Sequence, residues 1–275
     1  MSLILLFDIG NTRLKWAAIE SLNQNPADRN KNLWAYSGAI STKLLLEPKY
    51  CNELAEYISR TLPKPDAIGI CCVAEDIASA NLKGLFPQWH NINWRRIRGN
   101  SPFQEMKSLY INPEKLGADR WAAAIGARAL SNGNNLIVNA GTASTIDLLG
   151  SNGVHYGGWI LPGFGLMQES LHANTAHLPA RVIPESPQKM SSGFGTSTNE
   201  SIHAGCIAAQ IGAIQRALQL AKTINHPVDR IWLDGGNSRK LFNEIKTLTD
   251  INTSQVELTE NLVLRGLWAW LLTNP

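Results

Sequence analysis

The chain has 275 residues, 44% of them hydrophobic and 17% charged, an ordinary globular balance that supports a sizeable core in one large domain or two smaller ones. With 25 Lys plus Arg against 22 Asp plus Glu, a net charge of +3 is too dilute to draw a polyanion, so nucleic acid is not an expected partner. No apolar run approaches the roughly 18 residues of a membrane span, and the N-terminal run is broken by Asp8 without a signal peptide's basic flank, which points to a cytoplasmic protein without a membrane partner.

Strand-like and helix-like segments alternate, which places the chain in the α/β class. Residues 3–9 read as a buried strand, Gly10-Asn11-Thr12 as a turn and 14–19 as a second strand. A polar loop then leads to a third strand near 33–40, completing a meander. Residues 51–62 have helical periodicity and stop at Pro63, before an apolar strand-like run at 66–73 and a short basic strand at 94–98. Cys51, Cys71, Cys72 and Cys206 show no metal-ligand spacing and read as small buried thiols, as a cytoplasmic protein would have. The arginines at 95, 96 and 98 read as a solvated strand face.

Farther along, Asn112 is placed to cap a helix and Pro113 to open it, and the alanine-rich stretch 121–130 carries it to Gly133. A strand at 136–138 runs into Asn139-Ala140-Gly141-Thr142-Ala143, followed by apolar stretches at 146–149 and 154–161, a second meander. A helix over 198–224 and a strand running from Arg230 into Asp234-Gly235-Gly236-Asn237 complete this half. The two meanders open alike, at Asp8-Ile9-Gly10 and at Asn139-Ala140-Gly141, with a domain-sized offset that suggests duplicated halves facing each other across a cleft. The expected division is 1–112 and 113–275.

The turns carry the chemistry. Glycine at Gly10 and Gly141 lets backbone N–H groups approach phosphate oxygens without a Cβ in the way, and Asn11, Thr12, Thr142 and Thr145 add neutral donors. Asp8, at a strand end, suits a Mg²⁺ ion held through water, and Lys15 adds positive charge for the same phosphates. Gly235 and Gly236, after a strand and before a helix, suit the edge of an adenosine site. The six histidines have no zinc-protease spacing, and the nine tryptophans read as core and interface anchors.

Taken together these residues resemble the type III pantothenate kinases, of the actin, heat-shock chaperone and sugar-kinase ATPase superfamily. The resemblance covers most of the chain and rests on Asp8-Ile9-Gly10-Asn11-Thr12 with Lys15, Tyr110 through Gly117-Ala118-Asp119-Arg120, Gly141-Thr142-Ala143 with Thr145 and Asp147, Gly157-Gly158 with Pro162-Gly163, Thr198 before Glu200, and Gly235-Gly236. It implies two RNase H-like domains, ATP and Mg²⁺ as cofactors, and phosphorylation of pantothenate at its primary hydroxyl. Asp119 matches the general base, while Tyr110, Gly117, Ala118, Arg120 and Thr198 match substrate-binding positions. A homodimer is implied in the same way. One position departs: Asn139 stands where the family usually has the Asp associated with its monovalent cation, K⁺ or NH₄⁺. It offers a carbonyl oxygen but no charge, so activity is expected to persist with an unusual K⁺ dependence. Two other readings are a non-catalytic regulatory protein on the same scaffold and a related transferase or hydrolase with another acceptor.

Overall fold

The computed structural model describes residues 3–20, 24–29, 33–74, 81–175, 194–248 and 250–274. In chain order the elements begin β1 (Leu3–Ile9), β2 (Arg13–Glu20), β3 (Tyr36–Ser41), α1 (Pro48–Thr61), β4 (Ala67–Cys72), β5 (Trp94–Arg96), β6 (Lys107–Ser108) and α2 (Ala118–Leu130). They continue β7 (Asn135–Ala140), β8 (Ala143–Leu149), β9 (Val154–Pro162), α3 (Phe164–Asn174), α4 (Thr198–Thr223), β10 (Arg230–Asp234), α5 (Ser238–Ile245), β11 (Val256–Leu258) and α6 (Leu262–Thr273).

The chain divides into two compact units. The first comprises residues 1–132, 152–155 and 261–275, and the second 133–151 and 156–260. This differs from the expected division at 112, because α2 and α6 both belong to the first unit. These two helices pack closely: a Cβ on Gly126 would land on the carbonyl of Leu262, and one on Gly266 on the carbonyl of Ala122.

In the first unit the sheet order is β3-β2-β1-β4-β5, with β1 antiparallel to β2 and parallel to β4. All seven residues of β1 are buried, as expected of a central strand covered on both faces. Leu5, Phe7 and Ile9 pack with Leu54 and Ile58 of α1 in one core cluster. α6 is buried almost along its whole length, which fits its run of Leu, Val, Trp and Ala.

The second sheet has the order β6-β9-β8-β7-β10-β11, of which β9-β8-β7-β10-β11 lie in the second unit, with β7 antiparallel to β8 and parallel to β10. From β9 to β11 this repeats the order of the first sheet, so the duplication inferred from the two meanders is present in the strand topology. Leu136, Val138, Ile231 and Leu233 form its core with Ile211 and Ile214 of α4 and Leu241 of α5.

One expectation is corrected. Asn112 and Pro113 do not open the helix; they open a single 3₁₀ turn, Pro113–Lys115, and Asn112 makes no side-chain cap. The α-helix begins only at Ala118, after the buried Leu116 has anchored the connection.

Candidate active site

β1 delivers Asp8 to the edge of a tight turn. Asp8 is 9% exposed and lies in register with Lys15 of β2 on one side and Cys71 of β4 on the other. The turn closes when Gly10 N–H donates to the Arg13 carbonyl at 3.0 Å. Thr42 then pins it twice, its hydroxyl donating to the Gly10 carbonyl at 2.7 Å and its N–H to the Thr12 carbonyl at 2.9 Å. With these backbone groups fixed, Asn11 and Thr12 are exposed at the tip and Lys15 is half-buried beside it. Such a turn offers neutral donors and one cation to an anionic group.

The start of α2 supplies the second group of expected residues. Gly117 stands before the helix and Ala118, Asp119 and Arg120 form its first turn, where a carboxylate is favoured by the helix dipole. Asp119 Oδ1 accepts from the backbone N–H of Arg120 at 2.8 Å. Arg120 is only 5% exposed, and its Nη1 donates to the Tyr110 hydroxyl at 2.7 Å while the guanidinium lies 5.5 Å from the centre of that ring. Both planar groups are thereby fixed, which is what recognition of a carboxylate or phosphoryl group requires.

Cys71 ties the two groups together. Burial pushes its thiol well above the usual thiol range, and the nearby carboxylates of Asp8 and then Asp119 push it further, against a smaller opposing effect of Arg96. Asp8 and Asp119 therefore both act on one fully buried sulfur, which keeps its proton.

The second unit repeats the turn. Gly141 N–H donates to the Ala143 carbonyl at 3.2 Å, closing a turn one residue shorter than that from Gly10 to Arg13, and Asn139 occupies the strand position of Asp8. Gly163 N–H donates to the Thr142 carbonyl at 2.9 Å, and a Cβ on Gly163 would land on the carbonyl oxygens of Gly141 and Thr142. Asn139 lies in register with Asp234 of β10, and its Oδ1 is 2.6 Å from where a Cβ of Gly235 would stand. Gly235 takes φ +95°, a region open to glycine, and its N–H donates to Asp234 Oδ1 at 2.6 Å. Gly236 has open space at its Cβ position. Thr198 is the exposed first residue of α4, whose start is capped by Ser197 accepting from Glu200 N–H at 3.3 Å.

Thus the first unit brings together Asp8, Gly10, Asn11, Thr12 and Lys15 on one turn, and Tyr110, Gly117, Ala118, Asp119 and Arg120 at one helix start. The second gathers Asn139, Thr142, Gly235 and Gly236 at neighbouring strand ends, with Thr198 on a separate helix. The sequence carries no local sign of Ser108 and His155, which meet beside Tyr110 across 47 residues.

Among the described residues no group of three or more His, Cys, Asp or Glu side chains could hold a metal ion unaided. A single buried carboxylate beside a phosphate-sized turn fits Mg²⁺ that arrives with nucleotide and keeps much of its water. Asn139 Oδ1 and the carbonyl of Ala140, both against Gly235, are neutral oxygens of the kind that a monovalent cation accepts.

Comparison with known proteins identifies the family. Residues 4–220 match the sequence profile described as type III pantothenate kinase. A type III pantothenate kinase of Aromatoleum aromaticum is 35% identical over 96% of each chain, and one of Colwellia psychrerythraea is 31% identical over 96% of this chain and 98% of its own. Among solved structures, glucokinase from an Antarctic psychrotroph aligns over the full length of both chains with a TM-score of 0.52 at 14% identity, which shows a shared fold of duplicated actin-like α/β units. The chain belongs to the type III pantothenate kinase family.

Proposed function

We propose that this ATP-dependent kinase transfers the γ-phosphoryl group of ATP to the primary hydroxyl of pantothenate, giving 4'-phosphopantothenate, the first step toward coenzyme A. The observation that carries the reading is Asp119, held at the first turn of α2 by its neighbour's N–H and close enough to Asp8 for both to act on Cys71. An alcohol is a poor nucleophile at neutral pH, and Asp119 accepts its proton as the new P–O bond forms. Arg120, fixed by Tyr110, holds the pantothenate carboxylate or the transferring phosphoryl group, with Gly117, Ala118 and Thr198 as further substrate contacts.

Gly10, Asn11, Thr12 and Lys15 hold nucleotide phosphates, Thr142 is a further phosphate-binding residue, and Gly235 and Gly236 take the adenosine side. Asp8 would hold Mg²⁺ through water, and the ion, when bound, would neutralise phosphate charge. Asn139 takes the monovalent cation, K⁺ or NH₄⁺, through its amide oxygen. We further propose a cytoplasmic homodimer without nucleic-acid or membrane partners; among the described residues no helix is long and apolar enough to cross a membrane.

The test is ATP consumption by the purified protein with and without pantothenate, in K⁺ and in Na⁺ buffer, beside Asp119→Asn. Pantothenate-dependent turnover that falls by about 10²- to 10⁴-fold in Asp119→Asn is the expected result for loss of a general base. ATP hydrolysis indifferent to pantothenate, or no turnover in any buffer, would overturn the assignment in favour of another acceptor or a non-catalytic role.

A further inference from the structure

Behind Tyr110 lies a polar pair, a half-buried serine and a buried histidine. His155 is fully buried at the start of β9, and its Nδ1 is 3.1 Å from the hydroxyl of Ser108 on β6. The same hydroxyl accepts from the backbone N–H of Tyr110 at 3.2 Å. The short parallel pairing of Lys107–Ser108 with Val154–His155 sets the two side chains at one level, and Leu109 N–H donates to the His155 carbonyl at 2.9 Å. The imidazole is also boxed by rings: Trp121 stands edge-on at 6.2 Å and 90°, and Tyr110 lies 6.3 Å away. Trp121 is itself anchored, its Nε1 donating to the Ser101 carbonyl at 2.9 Å.

Hydrogen bonds thus run from His155 through Ser108 to the backbone of Tyr110, and from the hydroxyl of Tyr110 to Arg120. On either side of Tyr110 the chain is solvent-exposed: Leu109 is 57% and Ile111 97% exposed, so the flanking side chains give Tyr110 little packing of their own. The Ser108 hydroxyl and the two-residue strand pairing hold the Tyr110 backbone in place. A side chain that must orient a guanidinium needs its own position fixed by such supporting bonds, since a small displacement weakens a directional contact.

We infer that Ser108 and His155 are positioning residues that set affinity for the carboxylate-bearing acceptor by fixing Tyr110 and, through it, Arg120. The inference rests on the proposed role of Tyr110 and Arg120 in holding the acceptor. Neither residue touches substrate in this scheme. Ser108 fixes where Tyr110 leaves the strand, and His155 fixes the Ser108 hydroxyl from a site closed to water.

The test is steady-state kinetics of Ser108→Ala, Ser108→Thr, His155→Ala and His155→Asn, with binding of pantothenate alone followed by calorimetry. Loss of one supporting hydrogen bond is expected to raise the KM and Kd for pantothenate about three- to tenfold in Ser108→Ala and His155→Ala. The KM for ATP should not move. Ser108→Thr, which keeps the hydroxyl, and His155→Asn, which keeps a hydrogen-bonding group near the Nδ1 position, should recover much of the affinity. Ser108→Ala also covers the case in which the buried His155→Ala fails to fold. If wild type turns over pantothenate and Ser108→Ala binds it as tightly as wild type, the positioning role is wrong while the reaction stands. Equal rises in both KM values with a lowered melting temperature would mean a structural role only. Absence of pantothenate binding by wild type would overturn the proposed reaction and this inference together.

Discussion

Asp119 folds back over the start of its own helix so closely that its Oδ1 lies 2.7 Å from where a Cβ on Gly117 would stand. The carboxylate occupies space that only a glycine leaves open. Gly117→Ala should therefore rotate Asp119 away from its bond to Arg120 N–H and cost about 10²-fold in kcat, because a misplaced base loses most of its advantage. Stability should change little at this half-buried site. Turnover assays beside a melting curve separate the two, and wild-type kcat in Gly117→Ala would show that the carboxylate does not need this conformation.

The turn of the second unit has its own steric lock at Gly163. A methyl group there meets the carbonyl oxygens of Gly141 and Thr142, so Gly163→Ala must displace the turn, at a cost of about 1–3 kcal/mol typical of overpacking. The expected outcome is a lowered urea midpoint with a raised KM for ATP. An unchanged KM for ATP would remove the turn from the nucleotide site.

Asn139 is paired in register with Asp234, which is 6% exposed. Asn139→Asp would place a second carboxylate beside it, and two neighbouring anions repel unless a cation lies between them. The variant should melt lower in buffer without K⁺ and recover as K⁺ is added. Its turnover should also be more strongly activated by K⁺ over Na⁺ than that of wild type. Identical salt responses in the two proteins would place the cation elsewhere.

His203 offers a pH-dependent check on the second unit. Burial lowers its pKa from the ordinary 6.5, and the charge of Lys240 lowers it further. The folded value lies below the unfolded one, so the stability this neutral ring contributes is complete above pH 6.5 and is lost as pH falls through that value and below it. In Lys240→Gln the NMR titration of His203 should move upward yet stay below 6.5, since burial is the larger cause. A titration that does not move would mean that Lys240 exerts no field at the ring.

Much of the scaffold was legible in the sequence because its strands are short apolar runs bounded by turn residues. β1 spans the residues expected, and the Asp8 and Asn139 turns are recognisable from one another. The helix start was misread for a physical reason: Asn112-Pro113 suits a 3₁₀ turn as well as an α-helix. What decides between them is the burial of Leu116 against Gly99, a contact with no local signature. The same holds for the allocation of α2, which depends on the close approach of Gly126 and Gly266 from distant parts of the chain. Residues that lie together in one short motif, such as Asp119 and Arg120, stand out as candidates from the sequence alone. Ser108 and His155 do not, because a single serine and a single histidine acquire meaning only when β6 and β9 align.

The crowding at Gly163 also bears on inhibition. Every amino acid except glycine places a Cβ at that position, so no single substitution there leaves the Gly141–Thr142 carbonyls where they are. A compound anchored on this turn would face a surface with few routes to resistance, because the change that dislodged it would distort the enzyme as well.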